Sequence, residues 1–179
     1  MNIVDIAREH AFKAHADVNH LYNGESYNAH LIMAQVTAHK FAYLIPEEDI
    51  NDVIAGVLEH DTLEDVPAIT YNDLKKATNE RVAELAYACT NEKGRTRAER
   101  ANAKYYEGIR NIQYATFVKL CDRIANVLYS LEHKNRMFDM YKKEQAHFRS
   151  ELYSLEYDDM WIYLDAILTL DDDTKKYNI

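Results

Sequence analysis

The chain has 179 residues and a formal charge of −9 at pH 7, and 47% of its residues are hydrophobic. This length is enough for a domain with a proper core, and the acidic charge disfavours non-specific binding to nucleic acid or to an anionic membrane. Because there are only four glycines and two prolines, and because apolar residues recur mostly at helical spacing, the sequence predicts an all-α fold.

Helical periodicity runs through most of the chain and is interrupted by segments rich in turn-forming residues. One such segment, residues 19–26, contains Asn23-Gly24, and another, residues 91–96, contains Gly94. We assign residues 1–170 to a single domain and residues 171–179 to a flexible tail. The predicted helices cover residues 2–17, 27–43, 47–60, 70–77, 79–89, 96–109, 114–131, 135–154 and 157–170.

Targeting and redox features of the sequence indicate a cytoplasmic protein. Residues 1–20 mix polar and apolar side chains without a hydrophobic signal core, and no later run is long and apolar enough to span a bilayer. Cys89 and Cys121 both lie on apolar helical faces and are expected to be reduced core residues. We expect no membrane segment and no nucleic-acid partner, and the sequence leaves homo-oligomerisation open.

Four polar residues lie on, or beside, apolar faces of predicted helices. His30 begins one such face, Asp61 continues another with His60 beside it, and Asp122 lies on a face of the helix predicted at 114–131. A lone imidazole or carboxylate turned into an apolar core costs on the order of several kcal/mol unless it is paired, protonated or coordinated. We therefore interpret the four as ligands of one divalent cation, for which a mixed nitrogen and oxygen set suits Mn²⁺, Fe²⁺, Zn²⁺ or Mg²⁺.

Further polar residues follow the candidate ligands at a spacing of one helical turn. Glu64 and Asp65 come four residues after the His-Asp pair, so both carboxylates return to the metal side of the helix. There they are placed to orient or deprotonate an attacking water, or to protonate a leaving oxygen. Asn126, four residues after Asp122, is expected to hold a water or a phosphate oxygen.

Residues 91–110 form a locally basic stretch in an acidic protein. Arg97, Arg100 and Lys104 are spaced three and four apart, which predicts one helical face able to contact a polyphosphate, with Lys93 nearby. A solvated charged face without a ligand is the alternative interpretation of the same pattern.

Two other patterns are interpreted as structural. Lys119 and Arg123 share a helical face, and we expect one of them to neutralise the ligand carboxylates. The helix predicted at 135–154 carries aromatic and aliphatic residues at alternating steps of three and four, which is typical of a core-facing helix.

Three segments resemble the signature blocks of the HD-domain phosphohydrolases: residues 26–30 (SYNAH), 59–65 (EHDTLED) and 118–126 (VKLCDRIAN). Within that family they are most similar to the hydrolase domain of the RelA/SpoT group and its small stand-alone alarmone hydrolases. The resemblance covers about residues 3–131 and includes residues 90–93 (TNEK). It implies a compact, all-α, multi-helix HD domain that removes the 3′-pyrophosphate from guanosine tetra- and pentaphosphate with Mn²⁺.

The resemblance also implies roles for individual residues. It assigns the catalytic acidic pair to Glu64 and Asp65. It assigns the metal ligands to His30, His60, Asp61 and Asp122.

Two departures from the group concern the substrate. The group usually carries an Arg-Lys pair in the loop before the first metal histidine, whereas residues 19–24 here read NHLYNG, and Ala125 stands where His or Tyr is common. Both weaken the case for the alarmone, and the missing Arg-Lys pair favours an alternative, an HD-type nucleotidase or triphosphohydrolase acting on nucleoside mono- or triphosphates. A nucleotide sensor without catalysis is a third interpretation, which the retention of Glu64 and Asp65 opposes.

Overall fold

The computed structural model describes residues 2–174. Strands β1 (Leu21–Tyr22) and β2 (Glu25–Ser26) pair as an antiparallel hairpin, and 3-10 turns cover Ala42–Leu44 and Leu155–Tyr157. The rest of the regular structure is helical, so the predicted all-α class is confirmed. The helices are α1 (Ile3–Asp17), α2 (Asn28–Lys40), α3 (Ile50–Glu59), α4 (Thr62–Asp65), α5 (Tyr71–Ala77), α6 (Glu80–Cys89), α7 (Arg97–Arg100), α8 (Ala103–Asn111), α9 (Ala115–Glu132), α10 (Met137–Leu152) and α11 (Asp158–Thr174).

The prediction of a single helix at 96–109 is wrong, because this segment forms the two helices α7 and α8. The side chain of Asn102 accepts a hydrogen bond from the backbone N–H three residues ahead and so begins a new helix. The three basic residues expected on one face therefore lie on two helices, Arg97 and Arg100 on α7 and Lys104 on α8.

The loop predicted at residues 19–26 contains the hairpin, which the sequence analysis did not predict. Asn23 and Gly24 both have positive φ, 51° and 91°. An Asn-Gly pair with positive φ at both positions is the two-residue turn that best matches the twist of a β-hairpin. The hairpin directly precedes α2 and thus precedes the first candidate ligand.

Several helix ends differ from their predicted positions. The helix predicted at 27–43 ends at Lys40, and the short helix α4 was not predicted. Helix α11 continues to Thr174, four residues into the segment predicted as a tail, and the remainder of that prediction, residues 175–179, lies outside the described residues. Within residues 2–174, no helix is both long and apolar enough to cross a membrane.

Helix α3 is the central helix of the fold and packs against α1, α2, α6 and α9. Every residue from Val53 to Glu59 is buried, which is typical of a helix that is apolar nearly all round. His60 follows directly at the carbonyl end of α3, where the helix dipole favours positive charge. The packing of α3 therefore places the His-Asp pair inside the protein.

Gly56 marks a close approach of α3 to α6. A methyl group at this position would lie 2.7 Å from Leu85 Cδ1 and 2.9 Å from Leu85 Cβ. We expect Gly56→Ala to lower the free energy of unfolding by about 1–3 kcal/mol, because the two helices must move apart. Urea unfolding measures the change, and an unchanged stability would contradict the close packing.

Gly108→Ala in α8 is the matched control for this substitution. Nothing lies within 4 Å of the methyl group that it adds. Alanine is favoured over glycine within a helix by roughly 0.5–1 kcal/mol, so we expect this variant to be slightly more stable than the wild type.

Candidate metal centre

Three helices bring the four predicted ligands to one point. His30 lies on α2, His60 and Asp61 follow the end of α3, and Asp122 lies on α9. One donor atom from each residue lies within 4.8 Å of the other three. His60 Nε2 is 2.9 Å from Asp61 Oδ2, 3.2 Å from His30 Nε2 and 3.5 Å from Asp122 Oδ1. His30 Nε2 is 3.6 Å from Asp61 Oδ2 and 3.3 Å from Asp122 Oδ1.

These separations fit a single divalent ion. Bonds of about 2.1 Å to nitrogen and oxygen place neighbouring donors roughly 3.0–3.4 Å apart, at angles between about 90° and 109°. The five separations given above, 2.9 to 3.6 Å, bracket these values. Both imidazoles are fully buried, and the mixed donor set suits Mn²⁺, Fe²⁺, Zn²⁺ or Mg²⁺.

The two imidazoles are oriented by different means. His60 Nδ1 lies 2.7 Å from the carbonyl oxygen of Val57, to which it donates a hydrogen bond, so Nε2 is the ring nitrogen that faces the cluster. The buried Nδ1 of His30 has no hydrogen-bond partner among residues 2–174. The ring of Tyr22 stacks on the His30 ring with centroids 4.9 Å apart, so packing fixes this imidazole.

Of the two basic residues on α9, Lys119 neutralises a ligand carboxylate. Its Nζ lies 2.7 Å from Asp122 Oδ2. Arg123 instead pairs with Glu144 on α10, with Nη1 and Oε2 3.1 Å apart. The expectation that one of the two serves the ligands is therefore met by Lys119.

Side chains next to the cluster also hydrogen-bond to both carboxylate ligands. The Tyr27 hydroxyl donates to Asp61 Oδ2. The Asn126 amide donates to Asp122 Oδ1, and Asn126 Oδ1 accepts a hydrogen bond of 2.8 Å from the Tyr22 hydroxyl. Asn126, which was predicted to hold a water or a phosphate oxygen, thus has both ends of its amide engaged with protein groups.

The electrostatics of the cluster favour ionised carboxylates and charged imidazoles when no cation is present. Burial lowers the pKa of His60, but attraction by Asp61 and hydrogen bonds to both carboxylates outweigh it and hold the pKa well above its usual range. Burial raises the pKa of Asp122, but the Lys119 cation and the hydrogen bonds from His30 and His60 bring it well below its usual range. A metal ion must therefore displace protons from the imidazoles, and its affinity is expected to fall at low pH.

A cavity of about 370 Å³ lies beside the cluster. Its acidic lining comprises Asp61, Glu64, Asp65, Asp122 and Glu144. Its basic lining comprises Arg97, Arg100, Lys119 and Arg123. Aromatic rings also line it, namely Tyr27, Tyr105, Tyr106, Tyr141 and Phe148. Such a cavity has the size of a small-molecule site and combines charged with apolar lining groups.

Glu64 is held rigidly in the wall of this cavity by Asn91. The Asn91 side-chain amide donates to both carboxylate oxygens, at 2.8 and 2.9 Å, and the Asn91 backbone N–H donates to Oε2 at 3.1 Å. Both oxygens of the Glu64 carboxylate are therefore held in place beside the candidate metal centre.

Asp65, the next residue, is in a different environment. Burial raises the pKa of Asp65 to about 7, and the negative charges of Asp61 and Glu64 add to this effect. In the metal-free protein a substantial fraction of Asp65 is therefore protonated at neutral pH. The two neighbouring acids thus differ in environment, which is how sites separate an acid from a base.

The raised pKa of Asp65 predicts a pH dependence of stability in the metal-free protein. The unfolded chain releases this proton near pH 4 and the folded chain near pH 7, so Asp65 lowers the stability progressively as the pH rises between these values. Asparagine does not titrate, so we expect the free energy of unfolding of Asp65→Asn to fall less steeply with pH over this range, the difference in slope corresponding to about one proton. Urea unfolding across the range measures it, and parallel curves for variant and wild type would contradict the shift.

Two of the four residues predicted to bind substrate lie at the cavity. Arg97 and Arg100 line it, whereas Lys93 and Lys104 are exposed and do not. Lys104 instead pairs with Glu92 at 2.8 Å. Arg97 is paired with Glu144 of α10, with Nε 3.0 Å from Oε1, whereas the buried Nε of Arg100 has no hydrogen-bond partner among residues 2–174.

Sequence reasoning missed the contribution of α10 to the cavity. Tyr141, Glu144 and Phe148 were predicted as part of a core-facing helix, and Tyr141 and Phe148 are indeed buried. Glu144 nevertheless accepts hydrogen bonds from both Arg97 and Arg123. A carboxylate at helical spacing from buried aromatic residues was a usable signal, of the kind that identified the ligands. The contacts of Tyr22, Tyr27 and Asn91 had no such signal, because they join distant parts of the chain.

Neither the comparison with protein-family models nor the comparison with curated proteins found a match for the chain.

Proposed function

We propose that the protein is a metal-dependent phosphohydrolase of a small nucleotide, with the 3′-pyrophosphate of guanosine tetra- or pentaphosphate as its preferred target. The observation that carries this proposal is that three kinds of group meet at one cavity. They are the cluster of four candidate ligands, of which Asp61 and Asp122 line the cavity, the acidic pair Glu64 and Asp65, and the basic pair Arg97 and Arg100. Hydrolysis of a phosphate ester draws on all three.

Mn²⁺ is the proposed cofactor, since the donor set suits it and the motif resemblance implies it. When bound by His30, His60, Asp61 and Asp122, such an ion lowers the pKa of a coordinated water and neutralises charge on a phosphoryl group. Other divalent ions with the same ligand preference remain alternatives.

The side chains around the centre have distinct proposed roles. Glu64, fixed by Asn91, orients the attacking water and accepts its proton. Asp65, whose protonated form is favoured by burial, donates a proton to the leaving oxygen. Arg97 and Arg100 contact phosphate oxygens away from the metal.

The choice of a guanosine alarmone rests on the resemblance of three segments to the RelA/SpoT-type HD hydrolases. The cavity is compatible with a nucleotide, because aromatic rings such as Tyr105 and Tyr141 line it together with the basic side chains. Aromatic faces commonly stack on nucleobases.

A second candidate is a nucleotidase or triphosphohydrolase of nucleoside mono- or triphosphates. It is favoured by one observation in the loop before the first ligand. Where the alarmone hydrolases carry a basic pair, this chain has the hairpin with Tyr22, whose hydroxyl contacts Asn126 rather than the cavity's basic groups.

Incubation of the purified protein with Mn²⁺ and guanosine tetraphosphate tests the leading proposal, which expects GDP and pyrophosphate as products. A panel of nucleoside mono- and triphosphates in the same assay tests the second candidate. Hydrolysis of a nucleoside mono- or triphosphate without hydrolysis of guanosine tetraphosphate would identify the protein as the nucleotidase or triphosphohydrolase of the second candidate. No turnover of any phosphate ester, with Mn²⁺ bound, would favour the nucleotide sensor.

A cytoplasmic location is also proposed. Cys89 and Cys121 are both buried as free thiols, as is usual in a reducing compartment.

A further inference from the structure

The segment before α2, residues 20–27, presents a buried phenol to one ligand of the metal centre. The Tyr27 ring stacks on two imidazoles, with centroid separations of 3.8 Å to His20 and 4.4 Å to His15, and these imidazoles lie 5.1 Å from each other. Its hydroxyl donates to Asp61 Oδ2, the same oxygen that faces His60 Nε2. The stacking fixes the ring, and the fixed ring fixes the direction of the hydrogen bond.

The same segment presents a second phenol, Tyr22, which reaches the other carboxylate ligand through one intermediate. The Tyr22 hydroxyl donates to Asn126 Oδ1 at 2.8 Å. This bond orients the Asn126 amide so that its nitrogen donates to Asp122 Oδ1, the oxygen that faces both imidazoles. The Tyr22 ring also stacks on His30.

We infer that Tyr22 and Tyr27 are positioning residues that hold the two carboxylate ligands in place and thereby set the affinity of the centre for a divalent cation. The inference rests on the metal centre of the proposed function and not on the reaction. Partners of metal ligands typically change metal affinity by about 10–100-fold when they are removed. The reason is that a free carboxylate rotates among several orientations, of which few point at the ion.

The hairpin explains why both hydroxyls can act together. Asn23 and Gly24 form a two-residue turn, and β1 and β2 on either side of it are paired. Tyr22 ends β1, and Tyr27 directly follows β2. One short, hydrogen-bonded unit thus positions both phenols, in the loop where the resembled hydrolases carry their basic pair.

Tyr27→Phe and Tyr22→Phe test the inference, because each keeps the stacked ring and removes only the hydroxyl. Titration of the metal-free protein with MnCl₂ in a calorimeter gives the dissociation constant for each variant. We expect a weakening of about 10–100-fold for Tyr27→Phe and a smaller one for Tyr22→Phe, whose contact is indirect.

Tyr43→Phe is the matched control. The Tyr43 hydroxyl also donates to a carboxylate, Asp159 Oδ2 at 2.8 Å, but on an exposed surface away from the centre. Its Mn²⁺ affinity is expected to equal that of the wild type. If the loss of any tyrosine hydroxyl weakened Mn²⁺ binding, the affinities of Tyr22→Phe, Tyr27→Phe and Tyr43→Phe would fall alike, and this result would overturn the inference.

The remaining outcomes are also decisive. An unchanged Mn²⁺ affinity in Tyr27→Phe overturns the inference, and Tyr22→Phe decides in the same way if Tyr27→Phe does not fold. A wild type that binds no Mn²⁺ overturns the inference together with the metal centre. A wild type that binds Mn²⁺ but cleaves no phosphate ester, with weaker binding in the phenylalanine variants, supports the inference while the proposed function fails.

Discussion

Replacing Asp61 by alanine is expected to abolish both metal binding and turnover. Asp61 Oδ2 is 2.9 Å from His60 Nε2 and 3.6 Å from His30 Nε2, so the substitution removes one of four converging donors. A catalytic metal lowers the activation free energy by roughly several kcal/mol, and about 1.36 kcal/mol corresponds to a factor of ten in rate. Turnover should therefore fall by at least about 10³-fold. The substitution also leaves the Tyr27 hydroxyl without its acceptor.

Metal content and turnover are measured on the same preparations of Asp61→Ala and wild type. Asp52→Ala is the matched control, because Asp52 lies in the first turn of α3, at the opposite end from the centre, and accepts a hydrogen bond of 2.8 Å from the Asn79 side chain. The control should retain both metal and turnover. An Asp61→Ala protein that keeps its ion and its rate would exclude Asp61 as a ligand.

Glu64→Gln is expected to keep the metal and lose most of the rate. The amide has nearly the shape of the carboxylate but cannot accept a proton from water, and loss of a general base typically costs about 10²–10⁴-fold. Glu64 is not one of the four clustered donors, so the Mn²⁺ affinity should change little. This separation of metal binding from rate distinguishes Glu64 from Asp61.

The kinetic comparison uses kcat and KM with saturating Mn²⁺. Glu84→Gln is the control, since Glu84 is exposed on α6 and the same chemical change there should leave both constants unchanged. If Glu64→Gln kept the full rate, the proton acceptor would have to be another group at the cavity. If it lost its metal instead, Glu64 would belong to the ligand set.

The candidate ligands could be found from the sequence because His30, Asp61 and Asp122 are polar residues on apolar helical faces. Periodicity indicated that these three turn inward, and His60 was identified by its place beside Asp61. The structure brings the four together as expected. Their role as ligands stays a prediction, as does the assignment of the chain to the HD phosphohydrolases.

The supporting contacts could not be found in this way. Asn91 reaches Glu64, and Tyr22 reaches Asn126, across 27 and 104 residues of sequence. Such contacts depend on how helices and loops pack, and a polar residue in a loop carries no periodic signal that reveals its partner. The division between α7 and α8 was missed for a related reason, since one capping side chain, Asn102, outweighed a continuous helical pattern.

Anomalous scattering from a crystal grown with Mn²⁺ tests the existence of the metal centre most directly. One peak is expected per chain, at about 2.1 Å from a donor atom of each of His30, His60, Asp61 and Asp122. A map without a peak among these four side chains, or with the ion bound by other residues, would contradict the proposed centre and the function built on it.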